Sequence, residues 1–169
     1  FLFSRKSTLR DTGEFLVGFG LLFLGLVFLK EAVPDIKNNP EALKFIQSYT
    51  DKGIFSILFF FVFGTILTVI VQSSSVAGAI TITMAAKGWI DFPTAAAIIL
   101  GENVGTTITA NLAALSGNSN AKRAALAHFF FNIIGVIWAI ILFVPLTRLA
   151  DLIVPGNALD PENIPYHLA

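Results

Sequence analysis

Apolar runs dominate the chain, and polar positions interrupt them at a few defined places. The first run, residues 15–29 (FLVGFGLLFLGLVFL), extends to Val33 and is long enough for one membrane crossing. Gly18, Gly20 and Gly25 within it point to close helix contact rather than breakage. Lys30 and Glu31 close it, where a lysine snorkels to the headgroups. Residues 34–53 (PDIKNNPEALKFIQSYTDKG) are polar and read as an extramembrane connection, with an interfacial helix around 41–49 opened by Pro40 and Glu41. Residues 53–86 then run for 34 positions without a charge, and their centre reads Gln72-Ser73-Ser74-Ser75. Consecutive serines compete for backbone hydrogen bonds and weaken a helix. In lipid such a break is tolerated only where it is buried in protein or lines a cavity. The pattern predicts a re-entrant helical hairpin over 54–86 with its tip at 72–75.

Residues 87–91 (KGWID) form an interfacial turn, with Trp89 suited to the headgroup belt. Pro93 follows at a first helical turn. The segments 93–100 (PTAAAIIL) and 108–115 (ITANLAAL) are each too short to cross, but together they span. GENVGTT at 101–107 lies between them, so the pattern predicts a discontinuous transmembrane helix over 93–115. A polar stretch at 116–123 ends in Lys122 and Arg123, and residues 124–144 form a further span closed by Pro145. Residues 146–169 read as an interfacial segment and a loop-like tail. Residues 1–14 read as a linker or the end of a preceding segment, because the chain begins at Phe1 with basic residues after a short apolar start. The predicted fold is an all-α polytopic membrane protein. Residues 15–145 form its transmembrane region, with span 15–33, hairpin 54–86, broken helix 93–115 and span 124–144. Basic-residue density places 1–14 and 116–123 on the cytoplasmic face, and 34–53, 87–92 and 145–169 on the other.

Composition agrees with this picture. Hydrophobic residues make up 55% and charged residues 13%, too little polar surface to cover a soluble domain. The formal net charge is zero, which offers no basic face for nucleic acid. There is no cysteine, so thiolate and disulfide chemistry are excluded. The two histidines are far apart and have no metal-ligand spacing. No acid pair, nucleophile elbow or Walker-type loop is present, which argues against an enzyme and against an ATP-driven pump.

The candidate chemistry lies in the two polar interruptions. Gln72, Ser73, Ser74 and Ser75 bring hydroxyls and an amide, and a broken hairpin leaves backbone groups without helical partners. Carbonyl and hydroxyl oxygens suit a small hard cation such as sodium. The N–H groups that open the second arm suit an anion, helped by the helix dipole. In GENVGTT, Gly101 and Gly105 permit close approach, while Asn103, Thr106 and Thr107 supply oxygens and donors. Glu102 is the only acid in that span, and burying its carboxylate unpaired would cost about 2.5–3.5 kcal/mol. It therefore needs a cation, a donor, water or a proton. Asn111 lies two turns beyond Asn103 on the same side. Thr68 shares a face with Gln72. Thr65, Thr68, Thr81 and Thr83 read mainly as helix-packing groups. His128 and Asn132 form a narrow polar face that would hydrogen-bond across to the broken helix.

These residues carry a resemblance. The stretch QSSSVAGAITITMAAKGWIDFPTAAAIILGENVGTTITANLAAL, with GFGLLFLGL at 18–26 and AKRAALAHFFFN at 121–132, resembles the sodium-dependent inorganic phosphate cotransporters over roughly residues 15–145. The resemblance implies two inverted repeats with phosphate and sodium between them, in a plasma membrane (an inner membrane in bacteria), and suggests that this chain is the second repeat. It puts Gln72, Ser73, Ser74, Ser75, Asn103, Thr106 and Thr107 in the substrate and sodium site, with sodium held through Gln72, Ser73, Ser74 and Thr106. Thr68, Gly101, Glu102, Gly105, Asn111, His128 and Asn132 would support it. No cofactor is implied beyond sodium as coupling ion. Only one copy of each motif is present, so the expected partner is a complementary repeat, from a missing first half or a second copy. A carrier for another small anion and a non-transporting scaffold remain the alternatives.

Overall fold

The computed structural model describes residues 7–32, 40–50 and 52–168. Residues 1–6 of the expected linker, and Val33 with residues 34–39 and 51 of the polar connection, lie outside them. The described residues are helical, with turns between, and contain no strand, as the all-α reading required. The chain divides into two units, Phe1–Pro34 and Asp35–Ala169. The first is a single helix, α1 (Ser7–Ala32), which runs unbroken through its three glycines. It begins at Ser7, inside the stretch expected as linker.

The second unit contains α2 (Pro40–Thr50), α3 (Ile54–Val71), α4 (Ser74–Ala86), α5 (Phe92–Ala114), α6 (Ser119–Ile141), α7 (Phe143–Ile153) and α8 (Ile164–Leu168). Among the described residues three helices are long and apolar enough to cross a membrane, over Ser7–Leu29, Ile54–Val71 and Ser119–Ile141. The helix ends follow local chemistry. The Asp91 carboxylate caps α5 by accepting from Thr94 N at 2.9 Å, with Pro93 in the first turn. The Asn118 side chain caps α6 by accepting from Ala121 N at 2.9 Å. Helix α6 stops at Ile141, because Pro145 has no N–H to give the Ile141 carbonyl. Pro145 therefore sits in the first turn of α7 rather than closing the span itself.

Helix α5 is the centre of this unit. It packs against α3, α4 and α6 and carries ten buried residues. Contacts of α3 with α5 rise together along both chains: Gly64 meets Ile98, Thr65 meets Gly101 and Thr68 meets Gly105. The two helices therefore run parallel, with α4 returning antiparallel. The apolar core, which includes Phe60, Ile90, Phe92, Ile98, Phe143 and Ile164, lies towards the end where the 87–91 turn, α7 and α8 meet.

One expectation is overturned. Helix α5 is continuous from Phe92 to Ala114, so GENVGTT does not unwind. Its glycines serve packing instead. A Cβ added at Gly101 would strike the backbone of Phe61 and lie 2.8 Å from Thr65 N, and one at Gly105 would lie 2.6 Å from Thr68 Cβ. Gly64 meets the Ile98 backbone in the same way. Gly101→Ala is therefore expected to destabilise the protein by at least about 1–3 kcal/mol in detergent unfolding. Gly135→Ala, where a Cβ meets open space on α6, should be neutral or stabilising by up to about 1 kcal/mol.

Candidate binding site at the hairpin tip

The run of serines breaks the helix where expected. Gln72 closes α3 in the left-handed region, φ 57° and ψ 23°, and is the one non-glycine residue with positive φ among the described residues. Such backbone carries strain of order 1–3 kcal/mol, held by the surrounding structure, and it clusters at functional sites. Ser73 is extended and caps α4, with its Oγ accepting from Val76 N at 3.3 Å. Gln72 and Ser75 are exposed, and Ser73 and Ser74 are half-buried. The tip thus presents the carbonyl end of α3 and the N–H end of α4 together.

The second motif lies on the neighbouring helix. Glu102 is buried, and its Oε1 accepts from the Thr81 hydroxyl at 2.7 Å. Gly78 leaves room for Oε2, which would lie 3.4 Å from a Cβ there. No basic residue lies on α3, α4 or α5 to pair with it. Thr106 lies one turn beyond Glu102 on α5, and Ser74 one turn before Gly78 on antiparallel α4. Ser74 and Thr106 are therefore carried to one level. Asn103 is exposed on another face of α5. Among the described residues no hydrogen bond joins the 72–75 tip to 103–107.

The hydroxyls of Thr65, Thr106 and Thr107 are engaged as donors. Thr106 donates to Glu102 O at 2.9 Å, and buried Thr107 donates to Val104 O at 2.7 Å. Each oxygen keeps lone pairs but no free proton. Thr65 donates to both Phe61 O and Gly101 O at 3.0 Å, tying α3 to α5. Thr68 Oγ1 is buried with no hydrogen-bond partner, one turn below the tip.

Two expected supports differ. His128 is exposed, and Asn132 donates Nδ2 to its own helix, to His128 O at 3.0 Å, so neither reaches α5. Asn111 makes the cross-helix bond instead, its Nδ2 donating to Thr107 O at 2.8 Å and to Ala125 O at 3.0 Å. Sequence reasoning also missed Thr81 as the partner of Glu102. Its only signal was a threonine in an uncharged run.

This arrangement sits inside a matched region. A family model, "Na+/Pi-cotransporter", matches residues 39–154. The chain belongs to the sodium/phosphate cotransporter family. It is 31% identical over 139 residues to "Uncharacterized protein YqeW" of Bacillus subtilis, covering 80% of this chain and 43% of that protein. It is 31% identical over 135 residues to "Putative inorganic phosphate export protein YjbB" of Escherichia coli, covering 80% of this chain and 24% of that protein. It is 46% identical over 91 residues to human "Sodium-dependent phosphate transport protein 2B", covering 51% and 13%. The chain spans less than half the length of these curated relatives. No solved structure matches it. This is a transporter family, which accords with the lack of catalytic motifs.

Asn111→Leu should cost about 0.6–1.7 kcal/mol of stability in detergent unfolding, the range for a hydrogen bond between membrane helices. His128→Leu, at an exposed position, should leave stability unchanged.

Proposed function

We propose that this chain forms about half of a carrier that moves inorganic phosphate across a membrane, coupled to sodium, with the hairpin tip and α5 as one wall of the site. The observation that carries this reading is the break at Gln72–Ser73 inside an uncharged run, beside the Thr106 level of α5. The opposite wall is a complementary inverted repeat, from the same polypeptide or a second copy. Exposed Gln72, Ser75 and Asn103 favour this, since polar side chains facing lipid are costly. The membrane is the plasma membrane, or the inner membrane in a bacterium.

The register of α3 against α5 supports a re-entrant hairpin. Val71 lies three residues beyond Thr68, whereas Ala114 lies nine beyond its neighbour Gly105. The tip therefore stops about 9 Å short of the α5 end at 1.5 Å per residue. Such a tip sits within the hydrocarbon, where irregular backbone is tolerated at a polar cavity.

The hydrogen bonds suggest a division of labour. Thr106 and the tip carbonyls offer lone pairs without protons, which suits sodium. The first N–H groups of α4, at Ser74 and Ser75, and the amides of Gln72 and Asn103 offer donors, which suits phosphate. Ser73 and Ser74 hydroxyls serve either ligand, and Thr107 acts through the α5 backbone.

The test is uptake of labelled phosphate into proteoliposomes holding the complete carrier, with and without an inward sodium gradient. Sodium-driven uptake is expected, reduced at least about tenfold by Gln72→Ala or Ser74→Ala, equal to about 1.4 kcal/mol per tenfold. His128→Ala should retain it. Uptake that ignores sodium, or variants that change stability alone, would overturn the reading. The relatives named for export favour a second reading, outward phosphate movement, which the same vesicles decide with the gradient reversed.

A further inference from the structure

Two interfaces hold the hairpin to α5, and they are built differently. Helix α3 meets α5 backbone to backbone at Gly64 and Gly101, Thr68 packs its side chain onto Gly105, and Thr65 adds a bond to Gly101 O. That contact interlocks. Helix α4 instead presents small buried residues at four-residue steps, Ala77, Thr81 and Ala85, beside Gly78. Its contact with α5 is much less extensive than that of α3. One directional bond crosses this face, from Thr81 Oγ1 to Glu102 Oε1 at 2.7 Å. Among the described residues no other hydrogen bond joins α4 to α5.

Thr81 makes this bond instead of a cheaper one. A helical threonine commonly donates to the carbonyl four residues back, as Thr83 does to Ala79 O at 2.7 Å. Thr81 gives its proton to the carboxylate instead. Its partner reaches it across Gly78, where a side chain would crowd Oε2. A carboxylate is the strongest acceptor available for such a reach.

We infer that Glu102 is a positioning residue: through Thr81 it latches the α4 arm onto the interlocked α3–α5 block, and so fixes where Ser74 and Ser75 stand opposite Thr106. This rests on the proposed binding wall, since the tip is what the latch places. With the latch open, α4 is held to α5 only by small apolar contacts, and the tip donors leave the geometry that binds phosphate. Loss of the latch therefore weakens ligand affinity before it slows turnover.

The chain is cysteine-free, which gives a readout independent of transport. Val76, 44% exposed in the first turn of α4, is replaced by Val76→Cys in the complete carrier, and its rate of labelling by a thiol reagent is followed. Thr81→Val, which keeps shape and removes the hydroxyl, should raise labelling and raise the phosphate KM about three- to fifteenfold with the maximal rate within about twofold. Thr81→Ser should restore both. Glu102→Gln, which keeps an acceptor oxygen, should lie between the parent and Thr81→Val. Parental labelling and KM in Thr81→Val would overturn the inference, as would a fall in maximal rate alone. If Glu102→Gln does not reach the membrane, the Thr81 pair decides by itself. If the parent shows no phosphate uptake, the proposed function falls while the labelling rates still report on the latch.

Discussion

The fold depends on one contact, the parallel approach of α3 and α5 at Gly64, Gly101 and Gly105. Backbone meets backbone at Gly64 and Gly101, and only the Thr65 and Thr68 side chains enter near Gly105, so the two helices form a single block. Everything polar in this unit is arranged around it. The tip lies at the end of α3, Glu102 lies between the glycines that face α3, and Thr65 seals the contact by donating to Gly101 O. In lipid, where burial of apolar surface drives little helix association, such close packing supplies the main cohesion.

That contact explains what the sequence made legible and what it hid. The break at 72–75 was readable because three serines and a glutamine in an uncharged run are a local signal, and among the described residues the one non-glycine residue with positive φ lies there. Asp91 with Pro93 announced the start of α5, since a cap needs only its own next three residues. GENVGTT was misread for a physical reason. Two glycines among polar residues look like a place to unwind, and only the partner helix tells unwinding from packing. The partner lies some forty positions upstream, in residues that are themselves apolar and uninformative.

The same limit governs side-chain partners. Asn132 was expected to reach across to α5 because polar residues in spans seek partners, but its own helix satisfied it first. Asn111, two turns from the motif, reaches Ala125 O because the α5–α6 turn is tight enough to bring the antiparallel helices to that register. Thr81 and Glu102 are 21 residues apart. Their meeting depends on how far α4 runs before the 87–91 turn, which no local pattern records.

The placement of donors and acceptors bears on coupling itself. Phosphate entering a low-dielectric site loses much hydration, and a bare dianion there is prohibitively costly. The α4 N-terminus supplies only partial positive charge. On the proposed reading, a sodium ion held by the lone pairs of Thr106 and the tip carbonyls supplies the missing countercharge. The same reasoning runs in reverse, since no residue of α3, α4 or α5 other than Glu102 carries a formal charge to hold a cation. Each ligand then raises the affinity of the other by the same factor, as linkage requires. On that reading co-transport follows from electrostatics at a nearly uncharged tip: either ion alone is costly to bury, and the two together are less so.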